Sequence, residues 1–326
     1  SFDEHKFTIG VFLDFSKAFD KLRFSSIRSS LFKLNLPFQL NMFIEEFLKC
    51  RQQRVSYNGQ YSSYVKVLSG VPQGSVLGPI LFALVIDSLT PLCDNSLMFK
   101  YADDVTILHC IRSISEDHLQ NEWDHLESWS ASQGLFLNFE KSFVMNCITK
   151  KSLQLFPILT CDGKTIQNVS SLRILGVTIS SDLSWNEHFS STASKCFKRF
   201  FILRNLKRAN CPPELLYKCY VAFIQSVMLY SFPSLCNAPK YLLNKFLRVE
   251  RRACKFFQLN DFPSFITVAD KMCARLFQNV LRNEDHSLRC MFVARTPTLR
   301  NSMLLQPPFA RTARFGNSFI RYAKDP

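Results

Sequence analysis

The sequence lacks an apolar run long enough to form a membrane-spanning helix. Its longest apolar stretch, Val76 to Ile86, contains Gly78 and Pro79 and reaches about half of the roughly 20 residues that a span requires. No leader with a basic start and an apolar centre precedes the first strand-like segment, so a signal peptide is not expected. We therefore expect an intracellular protein, nuclear or cytoplasmic and not secreted, that has no membrane partner.

The sequence also lacks closely spaced cysteine pairs, and it has fewer acidic than basic residues. The 12 cysteines occur singly, with no CxxC pair and no histidine at ligand spacing. This spacing argues against a zinc ribbon and favours reduced, mostly buried thiols. The 26 acidic residues stand against 40 Lys and Arg, a net charge of +14. Such an excess favours a polyanionic partner, nucleic acid above all, with solubility through net charge as the alternative.

The order of the sequence patterns predicts an α+β fold. A length of 326 residues, of which 47% are hydrophobic, indicates about two domains. Strands are predicted over Phe7 to Phe15 and on both sides of a tight turn, over Leu97 to Tyr101 and Val105 to His109. The pattern becomes mainly helical and basic after about residue 185. We place a domain change near residue 184 and expect a connector or tail over residues 263–326.

Asn58-Gly59 predicts a tight hairpin between Arg54 to Asn58 and Tyr61 to Leu68. This dipeptide accepts the positive φ angles that a two-residue hairpin turn requires. The sequence therefore places a small hairpin between the first helices and the loop that begins at Ser69.

Three aspartates are candidates for a metal site. Asp14 follows a buried strand, and Asp103 and Asp104 lie in the strand-turn-strand segment. Taken singly, Asp14 is explained as a helix N-cap and the aspartate pair as ordinary turn residues. Taken together, carboxylates at strand ends that converge on one edge of a sheet can hold magnesium, which prefers oxygen ligands.

Three segments, in this order and at these separations, resemble the consecutive palm motifs of reverse transcriptases. They are VFLDFSKAFD (Val11 to Asp20), SGVPQGSVLGPILF (Ser69 to Phe82) and YADD (Tyr101 to Asp104). The second resembles in particular the enzymes of retrotransposons without long terminal repeats, the LINE-like class. The resemblance covers about residues 7 to 260.

This resemblance implies a right-hand polymerase fold. The palm, an antiparallel sheet with packed helices that ends in a primer-grip hairpin, would occupy residues 1–184. A mainly helical, basic thumb would follow over residues 185–262. The fingers are expected to be largely absent, because few residues precede Asp14.

The resemblance also assigns the catalytic roles. Asp14 and Asp103 would bridge two Mg²⁺ ions, or Mn²⁺ in their place, with Asp104 as a less essential third carboxylate and the main-chain oxygen of Phe15 completing the site. Lys141, in the strand-like stretch Leu135 to Met145, would act as a general acid near the departing pyrophosphate. A solvated lysine on a strand edge is the alternative.

Four further residues would bind substrate. Phe19 matches the aromatic residue that excludes a ribose 2′-hydroxyl, which implies deoxynucleotides, although an ordinary core aromatic is the alternative. Gln73 matches the residue that contacts the incoming nucleotide and the template. Gly74, like Gly70, would let nucleic acid approach the backbone closely. Tyr101 is grouped with them as part of the YADD segment.

A hairpin and a basic helix are expected to hold the nucleic acid. LRILGVTI (Leu172 to Ile179) resembles the primer grip. The following helix would lay a cationic face along the template–primer backbone, with a solvated basic helix as the alternative. Its cations are Lys195, Lys198, Arg199, Arg204, Lys207 and Arg208. Its apolar stripe is expected to comprise Phe197, Phe200, Phe201 and Leu203.

Two functions remain open at this point. The first is an RNA-directed DNA polymerase that adds deoxynucleotides to a primer 3′-hydroxyl, with an RNA template, a DNA primer and deoxynucleoside triphosphates as partners. The second is a catalytically inactive, truncated remnant that retains only nucleic-acid binding. The sequence does not indicate protein partners.

Overall fold

The structure is a computed structural model that describes residues 7–111, 117–147, 159–161, 163–236, 238–257, 263–294 and 305–306. It divides into two compact units, Ser1–Ser170 and Ser171–Pro326. Among the described residues, no helix combines the length and apolar character needed to cross a membrane.

The described part of the first unit contains five helices and eleven strands. The helices are α1 (Ala18–Lys21), α2 (Phe24–Lys33), α3 (Phe38–Leu48), α4 (Leu77–Asp87) and α5 (Leu119–Gln133). The strands are β1 (Phe7–Leu13), β2 (Gln52–Gln53), β3 (Ser56–Tyr57), β4 (Gln60–Tyr61), β5 (Val65–Lys66), β6 (Ser96–Tyr101), β7 (Asp104–Ile111), β8 (Phe143–Cys147), β9 (Thr160–Cys161), β10 (Lys164–Thr165) and β11 (Gln167–Asn168).

A five-stranded sheet in the order β11-β8-β1-β7-β6 forms the centre of this unit. Strand β1 runs antiparallel to both β7 and β8, whereas β11 joins β8 in parallel. Side chains of β1 and of α2 to α5 share one hydrophobic core, which explains why the apolar run after Phe7 is buried on both faces. The predicted α+β class, an antiparallel sheet with packed helices, is confirmed.

The strand predicted over Leu135 to Met145 is interrupted. Leu137 forms an isolated bridge with Phe15, residues Phe139–Lys141 form a 3₁₀ turn, and β8 starts only afterwards. The hydroxyl of Ser142 donates to the carbonyl of Asn138 at 2.8 Å. Such a local bond competes with strand pairing, so Lys141 lies on a turn and not on a strand edge.

A buried carboxylate holds the loop that follows α4. Glu122 on α5 is fully buried, and it accepts hydrogen bonds from the backbone N–H groups of Leu92 at 3.1 Å and Cys93 at 2.6 Å. Burial, followed by the charge of Glu122, raises the pKa of the Cys93 thiol. The carboxylate therefore satisfies two donors that would otherwise lack a partner.

Glu122→Ala is expected to lower the free energy of unfolding by about 3 kcal/mol, because two backbone donors lose a charged acceptor. Urea unfolding followed by tryptophan fluorescence measures this loss. Glu46→Ala is the matched control, since Glu46 pairs with Lys49 at 3.5 Å on the surface and such pairs contribute about 0.5 kcal/mol. Equal losses in the two variants would contradict the role of the buried carboxylate.

The second unit is mainly helical. Its helices are α6 (Asn186–Arg208), α7 (Pro213–Tyr220), α8 (Ser226–Leu229), α9 (Phe232–Leu235), α10 (Lys240–Phe257) and α11 (Phe265–Arg282), and a π-helical turn, Val221–Gln225, joins α7 to α8. Its strands are β12 (Ser171–Ile174), β13 (Val177–Ser180), β14 (Val293–Ala294) and β15 (Leu305–Gln306).

Helix α6 buries a stripe with helical spacing. Phe189, Cys196, Phe200 and Leu203 are at most 1% exposed. Phe201, which was predicted to belong to this stripe, is 58% exposed. The prediction for Phe201 was wrong because a residue adjacent to Phe200 is rotated by about 100° around the helix axis.

Strands β12 and β13 form a hairpin that packs on α6. The backbone N–H of Thr178 donates to Nδ1 of His188 at 3.2 Å, and the hydroxyl of Tyr230 donates to the carbonyl of Leu175 at 2.6 Å. The compact units therefore separate between Ser170 and Ser171, before this hairpin. The functional boundary near residue 184, and with it the division into 1–184, 185–262 and 263–326, stays a prediction.

Helix α11 lies where the sequence predicted a connector or tail from residue 263. It buries Phe265, Ala269, Cys273, Phe277 and Val280, mostly four residues apart. The signal is weak in the sequence because two members of this buried stripe are alanine and cysteine, which are small, although both are often buried. Residues 295–304 and 307–326 of the expected tail lie outside the described residues.

Candidate active site

Strand pairing brings the three predicted aspartates together. Leu13 of β1 pairs with Val105 of β7, so Asp14, the next residue, continues the register beside Asp104. Asp103 lies in the turn between β6 and β7, where Ala102 has a φ of 51°. Partial burial raises the pKa of Asp104, and the charges of Asp103 and Asp14 raise it further. Three carboxylates therefore repel one another at this edge of the sheet.

A cavity of about 440 Å³ opens at the same edge. The predicted site residues that line it are Asp14, Phe15, Phe19, Gln73, Asp103 and Lys141. Three other predicted residues, Asp104, Gly74 and Tyr101, are not among its lining residues. The cavity therefore combines side chains from all three motifs.

Lys141 reaches the cavity from the 3₁₀ turn. Its Nζ lies 3.8 Å from Oδ2 of Asp14, and its side chain is 70% exposed. The distance is that of a loose ion pair, so the ammonium group is held near the carboxylates and is free to reorient.

The donors in the cavity suit a hard divalent cation that also uses water or substrate oxygens. In the part of the chain that is described, no three His, Cys, Asp or Glu side chains are grouped so that they could hold a metal ion. The carboxylates of Asp14 and Asp103 nevertheless line one cavity, and oxygen is the ligand that magnesium prefers.

The main chain at Phe15 is compatible with a further oxygen ligand. Two hydrogen bonds form the bridge between Phe15 and Leu137: the N–H of Asn138 donates to the carbonyl of Asp14, and the N–H of Ser16 donates to the carbonyl of Phe136, both at 2.8 Å. Neither bond uses the carbonyl oxygen of Phe15. The oxygen donors at this cavity that are compatible with a divalent metal are therefore the carboxylates of Asp14 and Asp103 and the main-chain oxygen of Phe15.

The second motif is tied to the first by backbone hydrogen bonds. The N–H groups of Gly70 and Val71 donate to the carbonyls of Leu22 and Phe19, both at 2.7 Å. These bonds place the loop that carries Gln73 beside α1.

Backbone conformation and contacts within the protein require glycine at residue 70. Its φ is +82°, and a Cβ there would lie 2.5 Å from the carbonyl oxygen of Phe19 and 2.6 Å from that of Asp20. The close neighbour in the structure is the backbone of α1, and the predicted approach of nucleic acid to Gly70 stays a prediction. Gly74 also has a φ of +82°, but a Cβ there would meet no atom within 4 Å.

Gln73 and Phe19 are each held in place by another side chain of the first unit. Nε2 of Gln73 donates to Oδ1 of Asp20 at 3.0 Å. The ring of Phe19 stacks on the fully buried ring of Phe82, with a centroid separation of 4.5 Å. Phe19 is therefore both a core contact and part of the cavity wall. Its predicted role against a 2′-hydroxyl stays a prediction.

The basic residues predicted on α6 divide into two groups. Arg199 donates to the carbonyl of Phe223 at 2.6 Å, and Lys207 donates to the carbonyl of Phe256 at 2.9 Å. These two cations tie helices of the unit together. The other four are exposed to solvent: Lys195, Lys198, Arg204 and Arg208.

A basic groove of about 560 Å³, which the sequence alone did not predict, lies between α6 and α10. Its cations are Lys198, Lys245 and Arg248, and Nζ of Lys245 donates to Oγ of Ser190 at 2.6 Å. The sequence signal was present on α10, where basic residues alternate with a buried stripe that includes Phe246. We refer to these seven residues as the basic groove: Ser190, Ala193, Ser194, Phe197, Lys198, Lys245 and Arg248.

Comparison with known proteins gives one matching family. The family described as reverse transcriptase (RNA-dependent DNA polymerase) matches residues 2–179, just over half of the 326 residues. A probable RNA-directed DNA polymerase from transposon BS of Drosophila melanogaster is 27% identical over 282 residues, 82% of this chain and 30% of that protein. The RNA-directed DNA polymerase from the mobile element jockey of the same species is 28% identical over 198 residues, 58% of this chain and 21% of that protein.

The chain thus spans less than a third of the length of these two relatives. A solved structure, telomerase from Candida tropicalis in complex with a TWJ fragment of telomeric RNA, is similar with a TM-score of 0.43 and 14% identity. That similarity covers 87% of this chain and 48% of the telomerase chain.

Proposed function

Because this chain belongs to the reverse transcriptase family, we propose that it is the palm and thumb portion of an RNA-directed DNA polymerase from a retrotransposon without long terminal repeats. The observation that carries the proposal is the single cavity lined by Asp14, Gln73 and Asp103, one residue from each motif. The proposed reaction joins the 3′-hydroxyl of a DNA primer to the α-phosphate of a deoxynucleoside triphosphate and releases pyrophosphate.

Members of this family generally depend on divalent metals, and two Mg²⁺ ions, or Mn²⁺, are proposed for this site. Asp14, Asp103 and the main-chain oxygen of Phe15 would hold them, with Asp104 beside them. When bound, such ions lower the pKa of the attacking hydroxyl and stabilise charge on the phosphate. Because the carboxylates repel one another without a cation, divalent metal should bind here more readily than a monovalent ion.

Side chains of the cavity would orient the nucleotide and move a proton. Lys141, 3.8 Å from Asp14, would donate a proton to the oxygen of the departing pyrophosphate. The ring of Phe19 would lie against the sugar and exclude a 2′-hydroxyl, and Phe82 behind it would keep the ring from moving aside. Gln73, Gly74 and Tyr101 would contact the nucleotide and the template. The amide of Gln73 would do so either after its hydrogen bond to Asp20 breaks or while that bond is kept.

The second unit would bind the template–primer backbone. The proposed contacts are the exposed α6 cations Lys195, Lys198, Arg204 and Arg208, together with Lys245 and Arg248 of the basic groove. Arg199 and Lys207 would contribute mainly by fixing the helices to which these cations belong.

Neutralising the basic groove is expected to weaken binding of an RNA–DNA hybrid and to flatten its salt dependence. In the triple variant Lys198→Gln, Lys245→Gln, Arg248→Gln, the magnitude of the slope of log affinity against log salt concentration should fall by about 2 to 3, because fewer counterions are released on binding. Fluorescence anisotropy over a salt series measures the slope.

The matched control removes the same charge from exposed positions on α11 in the same unit: Lys271→Gln, Arg275→Gln, Arg282→Gln. This control should leave the slope nearly unchanged. Equal effects of the two triple variants would show that net charge alone governs binding and would reject the groove as the contact.

Primer extension on an RNA template tests the proposed enzyme. The 326-residue chain is assayed with and without Mg²⁺, beside a chimera in which the corresponding upstream part of the transposon BS relative precedes Ser1. Metal-dependent extension by either protein supports the proposal. Binding of the hybrid without extension by both proteins would instead support the inactive remnant.

A further inference from the structure

An exposed hairpin lies beside the active-site cavity and is not used by the proposed chemistry. Residues 51–68 pair as β2 with β5 and β3 with β4, with the predicted turn at Asn58 (φ 47°) and Gly59 (φ 77°). The segment contains three cations, Arg51, Arg54 and Lys66, and no acidic residue. We call residues 51–68 the tyrosine hairpin.

Three aromatic side chains of the tyrosine hairpin face solvent. Tyr57 is 75% exposed, and Tyr61 and Tyr64 are each 60% exposed. The guanidinium of Arg54 lies 3.9 Å from the ring centroid of Tyr61 and 4.8 Å from that of Tyr64. This contact orders two exposed rings and a planar cation in one place. Exposed aromatic groups of this kind mark interaction surfaces more often than they stabilise a fold.

A cleft of about 890 Å³ at the base of the tyrosine hairpin is positively charged. Its basic lining residues are Lys17, Lys21, Arg51 and Lys66, and its acidic lining residue is Asp20. Asp20 already accepts a hydrogen bond from Gln73. The cleft therefore offers uncompensated positive charge and amide groups to a polyanion.

The cleft adjoins the active-site cavity. Lys17 and Gln73 line both of them. A strand whose phosphates follow the cleft would thus be led to the cavity that contains Asp14 and Asp103. The tyrosine rings belong to the same hairpin, whose residues 51–53 and 66–68 line this cleft.

We propose that the tyrosine hairpin and its cleft bind the unpaired template RNA ahead of the reaction site, with bases stacked on Tyr61 and Tyr64 and phosphates contacting the cations. This proposal rests on the proposed polymerase function. Aromatic platforms beside a cationic groove bind single strands without sequence preference, because every base has a face that can stack. Paired bases are stacked on one another, so a blunt duplex cannot use the rings in this way.

Binding of RNA–DNA hybrids with and without an unpaired RNA extension at the template 5′ end tests this inference. Fluorescence anisotropy of each hybrid is measured with three proteins. They are the wild-type chain, the double variant Tyr61→Ala, Tyr64→Ala and the double variant Tyr61→Phe, Tyr64→Phe, which keeps both rings and serves as the control. The extended hybrid should bind the wild type more tightly than the blunt one. The alanine variant should bind the extended hybrid at least about thirtyfold more weakly, whereas the phenylalanine control should match the wild type. Affinity for the blunt hybrid should be equal in all three.

An alanine variant that binds the extended hybrid as well as the wild type would overturn the proposal. So would a phenylalanine control that loses as much affinity as the alanine variant, because stacking needs only the ring. The readout is binding without chemistry, so it separates the two proposals. If primer extension fails while the extension-dependent affinity persists, the polymerase assignment fails and the single-strand site stands.

Discussion

Asp103→Asn is expected to reduce magnesium-dependent primer extension by about a thousandfold. Asparagine has nearly the shape of aspartate but offers a neutral oxygen, so the site loses half of the carboxylate charge that lines the cavity with Asp14. The turn between β6 and β7 should persist, because asparagine is as well suited to tight turns as aspartate. The single-turnover rate of adding one deoxynucleotide measures the effect.

Two controls separate loss of chemistry from loss of structure. Asp87→Asn makes the same chemical change at a side chain that is 88% exposed and outside the cavity, and its rate should stay within about twofold of the wild type. Affinity of Asp103→Asn for the RNA–DNA hybrid should be unchanged. If Asp103→Asn keeps more than about a tenth of the wild-type rate, Asp103 does not hold the metal.

The carboxylate cluster could be predicted from the sequence because each member lies next to a strand. Asp14 follows β1 directly, and Asp103 and Asp104 lie where β6 turns into β7. Once β1 pairs with β7, the register alone brings these residues to one edge. The family resemblance supplied their order along the chain, and strand geometry accounts for their proximity.

Contacts between distant segments could not be predicted in the same way. The contact of Gly70 with the backbone of Phe19 depends on how a loop packs on α1, and no local pattern encodes that approach. The place of Lys141 depends on a 3₁₀ turn that follows from the Ser142 hydroxyl and its bond to Asn138. Alternating apolar residues alone therefore predicted a continuous strand where the structure has a turn.

The basic groove was missed for a different reason. The sequence predicts Lys198 as a cation of α6, but the other two cations of the groove, Lys245 and Arg248, belong to α10. Only the packing of the two helices shows that the three cations share one groove. The sequence could therefore identify basic helices but not the surface that they form together.

Gly70→Ala is expected to lower the free energy of unfolding by about 3 to 4 kcal/mol, the sum of a backbone cost and an overpacking cost. A positive φ costs an L-residue about 1 to 2 kcal/mol, and the new Cβ would lie 2.5 Å from the carbonyl oxygen of Phe19. The clash falls on backbone, so it can be relieved only by moving the loop or α1 and weakening the 2.7 Å bond from Gly70 to Leu22. Because that bond and its neighbour position Gln73, primer extension should fall as well.

Gly74→Ala is the matched control for this change. Gly74 has the same φ of +82°, but a Cβ at this residue would have no atom within 4 Å, so the variant should lose only the backbone contribution of about 1 to 2 kcal/mol. Urea unfolding monitored by tryptophan fluorescence compares the two variants. The difference between them isolates the contact between the second motif and α1. Equal losses would mean that backbone conformation alone requires glycine at residue 70, and that the tie between the two motifs contributes little.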